Sequence, residues 1–292
     1  MSVQSEGSVL PSNSGDDLNW DRPVGKSLTE EPLYRVMNLA SNGIYLRHPC
    51  DPLPKYVVYL EQQVCRDRGD SYGVSVDEVR QLHSLAMGAA APQVANYFYG
   101  RIFPKPRPGS LDFLRRTDRQ PMAEHAVPGT GSKFPVSMPA PDMLYGYDRQ
   151  AAFLSRHHLQ LFEMGADMVA NTEDLIYPFL VVNLYGDGPG GNGSMWATAN
   201  KCLGGLASCV NLAERLNDQL NQCEADSPET VDNFVFSIAM NGIAAQLYLT
   251  WKADEQKYHM AQVKSFLFQD PKHYLEFRKM VLNILDWGRA PA

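Results

Sequence analysis

The chain has 292 residues, 44% hydrophobic and 20% charged, which is enough apolar material for one substantial core in a single large domain. Its formal charge of -7 and pI near 5.5 leave no general excess of Lys and Arg to neutralise phosphates, so nucleic acid is not the expected partner. No segment approaches the roughly 20 apolar residues that span a bilayer, and five cysteines without a C-x-x-C pair suit reduced, buried thiols in a cytoplasmic or nuclear protein.

Residues 1–30, rich in Ser, Gly, Asn and Asp and without the apolar run of a secretory signal, are expected to form a tail, leaving 31–292 as the folded domain. Prolines at 49, 52 and 54 precede a helix predicted over Tyr56–Arg66, with Val57, Leu60 and Val64 on one face. A second helix is predicted over Ser75–Met87, where Ser75 and Glu78 have capping-box spacing. Two proline-rich passages, 104–110 and 121–141, read as loops. The stretch 100–119 holds Arg101, Lys105, Arg107, Arg115, Arg116 and Arg119, a local basic cluster that reads as a solvated surface with acidic partners.

Residues 141–147 are a short strand candidate, followed by a helix predicted near 150–164. Tyr177–Tyr185, YPFLVVNLY, is a continuous apolar run of the kind that a strand buried on both faces requires, so it is predicted to be central. The glycine-rich loop 187–193 leads into a long helix over Ser194–Gln222, whose apolar positions recur every three or four residues. Phe234–Met240 and Gln246–Trp251 flank Asn241-Gly242 as a hairpin, and 254–287 is read as helical with a break at Asp270-Pro271. The fold class is therefore mixed α/β.

Several familiar chemistries are missing. The glycine loop lacks the Gly-Lys-Ser/Thr of a phosphate cradle. Ser208 is not in a G-x-S-x-G turn, and His157, His158, His259 and His273 lack metal-ligand spacing.

The segments YPFLVVNLYGDGPGG, NKCLGGLASCVNLAERLN, FSIAMNG and QDPKHYLEFRKMVLNILDWG carry a resemblance over roughly 33–288. They resemble a fungal family of unknown function assigned to the PD-(D/E)XK, restriction-endonuclease-like fold. The resemblance implies a mixed central sheet flanked by helices, with extra helices at both ends. In active members an Asp on one strand and a Glu-x-Lys on the next hold Mg²⁺ and position the attacking water. Asp142 matches the first acidic position, but Asn183 stands at the Glu and Tyr185 at the Lys. An amide brings no charge to a cation, and a phenol with pKa about 10 replaces an ammonium poorly.

Loss of both residues leads to an expectation of metal-free, cofactor-free small-molecule chemistry in the old cleft. The form expected is a Diels-Alderase-type cyclisation of an apolar, carbonyl-bearing substrate in fungal secondary metabolism. Tyr185, Asn183, Lys201 and Asp142 are then the candidate catalytic residues, and Trp196, Tyr147 and Glu61 the candidate substrate-binding ones. The alternatives are a non-catalytic pseudo-nuclease that binds nucleic acid or protein, and a nuclease in which Lys201, with Asp187 or Glu61, restores a migrated metal motif.

Overall fold

A computed structural model describes residues 27–69, 73–106, 113–152, 165–188, 193–222, 232–254 and 257–289. Among them seven strands make one mixed sheet: β1 (Ile44–Leu46), β2 (Leu114–Thr117), β3 (Met143–Asp148), β4 (Leu175–Leu184), β5 (Val235–Met240), β6 (Ala244–Asp254) and β7 (Lys257–Leu267). The spatial order is β1-β7-β6-β5-β4-β3-β2; β4 and β5 are parallel, as are β1 and β7, and the other neighbours are antiparallel. Among the described residues five α-helices cover the sheet: α1 (Lys55–Cys65), α2 (Val76–Ala86), α3 (Ala91–Arg101), α4 (Met195–Gln222) and α5 (Pro271–Arg289).

Every residue of β4 is buried, the burial that its uninterrupted apolar run predicts for a strand covered on both faces. Alternation then divides it. Leu180, Val182 and Leu184 join the core beneath α1, α2, α3 and α5, whereas Val181 joins the core beneath α4. β5 divides the same way, with Phe236, Ile238 and Met240 on the first side and Val235 and Ala239 on the second. Asn183, in phase with Val181, therefore lies on the α4 side.

The capping box at α2 is present: Ser75 Oγ accepts from Glu78 N–H at 3.2 Å, and Glu78 Oε2 accepts from Ser75 N–H at 3.0 Å. The hairpin at Asn241-Gly242 is present as well, with Asn241 Oδ1 accepting from Ile243 and Ala244 N–H at 2.9 and 2.7 Å.

Several expectations need correction. The region 254–287 is not one broken helix, because Lys257–Leu267 is a strand that pairs antiparallel along β6 and the helix begins at Pro271. Its alternation is blurred because Met260 and Ala261 are both buried, on opposite faces of the sheet, and because a register shift opposite Leu247/Tyr248 moves the positions facing the first core from Ala261 and Val263 to Phe266. α3 and the strands β1 and β2 carried no sequence prediction. His259 accordingly sits on β7, stacked between Tyr45 and Trp251 at 5.8 and 6.0 Å, and not on a helix. Cys202 and Cys209 are buried as expected, but Cys50 and Cys65 are exposed. Residues 27–30, placed in the tail by composition, make a 3-10 turn with Thr29 buried. The helix predicted over 150–164 and most of the glycine loop fall outside the described residues, as do Arg107, Cys223, His157 and His158.

Candidate functional site

The β3–β4 register sets the site. Met143 pairs with Val182 in an antiparallel ladder, so Asp142, one residue earlier, falls opposite Asn183. The Asp142 carboxylate bridges the two strands directly, its Oδ2 accepting from Leu184 N–H at 2.9 Å. Its Oδ1 lies 3.5 Å from Arg119 Nε. Arg119 takes this position with φ 56°, a left-handed backbone that few non-glycine residues adopt, and its N–H is held by Pro141 O at 3.0 Å. Burial pushes the Asp142 pKa above the usual carboxylate range, against the opposing pull of the Leu184 N–H and the Arg119 and Lys201 cations.

Beside Asn183 is a cleft of about 170 Å³. Asn183 forms its floor, Asn200, Lys201 and Gly204 of α4 one wall, and residues 137–140 with Thr29 and Tyr34 the rest. The sequence explains why α4 can approach. A Cβ on Gly204 would lie 3.2 Å from Val136, and one on Gly205 3.2 Å from Val181, both tighter than ordinary packing, so the two glycines let the helix settle against the strand and the 136–139 segment. The Asn183 amide lies 3.5 Å from the buried Cys202 Sγ, whose pKa burial raises to about 11. Asn200 ties the N-terminal wall in place, donating from Nδ2 to Thr29 O at 2.8 Å and accepting at Oδ1 from Arg35 Nε at 2.5 Å.

Of the residues singled out in the sequence, Asp142, Asn183 and Lys201 come together and the others do not. Tyr185 shares the strand side of Asn183, but its phenol oxygen accepts from Asn241 Nδ2 at 3.0 Å and from the Met195 N–H. It closes the start of α4 and does not line the cleft, and Asp187 is likewise turned to Asn241 Nδ2 at 2.6 Å. Trp196 stacks under Arg35, 5.2 Å from the guanidinium carbon, outside the cleft lining. Tyr147 faces the opposite side of the sheet, against Phe113 and Phe179 at 5.9 and 5.7 Å. Glu61 is on α1, also across the sheet, near Cys65. The cleft lining mixes hydroxyls, amides and an ammonium with a few apolar groups.

These donors do not fit Mg²⁺. Asp142 is committed to a backbone N–H and a guanidinium, Asn183 is uncharged, and no second carboxylate stands beside them; among the described residues no group of three or more His, Cys, Asp or Glu could hold a metal. The described members of the basic cluster also have partners of their own. Arg115 pairs with Asp148 at 2.6 Å, Arg116 with Asp118 at 2.8 Å and Lys105 with Asp118 at 3.7 Å, while Arg101 lies over Tyr97 at 4.4 Å.

Sequence reasoning missed Arg119, Asn200 and Asn241. Arg119 had a signal in its basic neighbourhood; the two asparagines act through partners far away in the chain. Among the described residues no helix is long and apolar enough to cross a membrane. No curated protein matches the chain. Residues 93–291, about two thirds of the sequence, match the family described as Domain of unknown function (DUF7924), and the chain belongs to that family.

Proposed function

We propose that the chain is a restriction-endonuclease-like protein whose metal site has been dismantled and reused as a metal-free site for a small, carbonyl-bearing organic molecule, with cofactor-free cyclisation as its reaction. The observation that carries this reading is the pairing of a closed Asp142 with an open Lys201 and Asn183. The carboxylate that would take a metal is capped by Leu184 N–H and Arg119, while the ammonium and the amide border one cleft. The placement of Asp142 opposite Asn183 on adjoining strands supports descent from such a metal site.

In this reading Lys201 and Asn183 donate hydrogen bonds to the substrate carbonyl and withdraw electron density from the conjugated alkene, lowering the barrier to bond formation. The walls restrict the remaining chain to its reactive conformer. Asp142 holds the ammonium by charge and does not touch substrate. At about 170 Å³ the cleft is near the size that holds one benzene-sized ring and below the 300–1,000 Å³ of whole-ligand pockets, so it takes the carbonyl end of the substrate only. The same small volume favours a second reading, a non-catalytic module that binds such a group without turnover.

The test is to incubate purified protein with polyenes bearing an activated carbonyl and to read rate and product enantiomeric excess against buffer. Lys201→Met and Asn183→Leu are each expected to lower the rate about ten- to a thousandfold, the scale for losing one preorganised donor, with EDTA without effect. Binding without turnover would select the second reading. Metal-dependent DNA cleavage abolished by Asp142→Ala would overturn both.

A further inference from the structure

A second site lies across the sheet from Asn183. A groove of about 430 Å³, within the range of small-molecule pockets, runs between α1, α5 and the start of β5. Four aromatic rings converge on it: Tyr56, Tyr59, Phe234 and Trp287. Tyr56 and Phe234 stand 5.3 Å apart at a 40° tilt. Trp287 is fixed edge-on by Phe179 and Phe236, at 6.0 and 5.4 Å. Tyr56 and Tyr59 remain 44% and 60% exposed, large apolar surfaces that folding has left in contact with water.

The charges around the rings are not evenly matched. Asp286 is already shared between Arg68 and Arg289. Asp232, two residues before Phe234, is exposed and has no ion-pair partner among the described residues. Arg66, the basic side chain in the lining, follows the far end of α1 from Tyr56, ten residues and about 15 Å of helix away. The aromatic end of the groove is therefore negative twice over, from one carboxylate and from the π faces of several rings.

We propose that this groove binds an alkylated ammonium ion, its methyl groups packed against Tyr56, Tyr59, Phe234 and Trp287 and its charge facing Asp232. Ring faces attract such a cation without the dehydration that a primary ammonium would suffer, and the methyls satisfy the exposed apolar surface. A free small molecule and a methylated lysine side chain present the same chemistry. The site is separate from the cleft at Asn183 and does not rest on the reading of that cleft.

The experiment titrates the full chain with choline, with its uncharged carbon isostere 3,3-dimethyl-1-butanol, and with trimethyllysine both free and within a short peptide. Tryptophan fluorescence and calorimetry follow binding. Choline is expected to bind at least tenfold more tightly than the isostere, with a fluorescence change that Trp287→Phe removes. Tyr59→Ala and Asp232→Asn, both at exposed positions, are expected to weaken it about tenfold each without altering the melting temperature. Tighter binding of the peptide would assign the cation to a protein side chain, and tighter binding of choline to a free metabolite. Equal binding of choline and isostere, no binding of any of the cations, or wild-type affinity in both folded variants would overturn the proposal.

Discussion

Replacing Asp142 by Asn and by Ala separates what its charge does from what its hydrogen bond does. Its oxygens meet the Leu184 N–H at 2.9 Å and the half-exposed Arg119 at 3.5 Å. Asp142→Asn keeps an oxygen for Leu184, whereas Asp142→Ala removes a charge-assisted hydrogen bond worth about 1.5–3 kcal/mol. The Arg119 pair, open to solvent on the arginine side, adds no more than about 1 kcal/mol. The alanine variant should thus be about 1–3 kcal/mol less stable than the asparagine variant, a difference of roughly 2–4 °C in melting temperature per kcal/mol.

The pH dependence has a definite sign. Burial raises the Asp142 pKa, so the folded chain holds that proton more tightly than the unfolded chain, whose Asp titrates near 3.9. This group's contribution to stability is therefore largest below the unfolded value and is lost as pH rises through the raised folded pKa. Asp142→Asn removes that dependence, so its stability relative to wild type is greatest at neutral pH and declines on acidification. Thermal denaturation of the three proteins across the acid range tests both points. Equal stability of the two variants, or a wild-type pH profile retained by Asp142→Asn, would refute the reasoning; so would Mg²⁺ raising the melting temperature of wild type but not of Asp142→Asn, since that requires an open carboxylate.

Three further outcomes follow from particular contacts. Tyr185→Phe takes the phenol acceptor from the Met195 N–H and leaves Asn241 Nδ2 with Asp187 alone, so it should lower stability by about 1–2 kcal/mol in chemical denaturation while ligand affinity at the Asn183 cleft is unchanged. Gly288→Ala drives a methyl into the Phe179 ring, 2.8 Å from Cε1 with other ring atoms nearer, and should cost about 1–3 kcal/mol or more with loss of near-ultraviolet circular dichroism from the aromatic cluster. Ser75→Ala removes one arm of the α2 capping box and should cost about 1 kcal/mol, read as a shift in denaturation midpoint at constant slope.

What could be read from the sequence was whatever a single segment decides alone. β4 declared itself because a strand buried on both faces has no polar phase, and α4 because its apolar period holds across 28 residues. β7 was hidden because its pairing with β6 shifts register, and the resulting bulge breaks the two-residue alternation that marks a strand. α3 had a usable signal in Val94, Phe98 and Ile102, four residues apart, but its start is marked by Ala90, which has no side-chain acceptor to cap it. At the site, Asp142 and Asn183 were expected together and lie opposite one another on β3 and β4. Tyr185 was expected with them and is turned away, because a side chain's partners depend on residues such as Asn241, 56 positions away in the chain.

The wall of the cleft contributed by Thr29 and Tyr34 lies ahead of residue 93, where the family match begins, and so does β1, the strand on the β7 edge of the sheet. A protein trimmed to the matched region would surrender the Asn200 to Thr29 latch, uncover the apolar underside of α5 where α1 packs, and leave β7 as an unguarded ladder of hydrogen-bonding groups. Expressed alone, that fragment is expected to self-associate through β7 and to lack the part of the cleft lining that reaches back to Ser27.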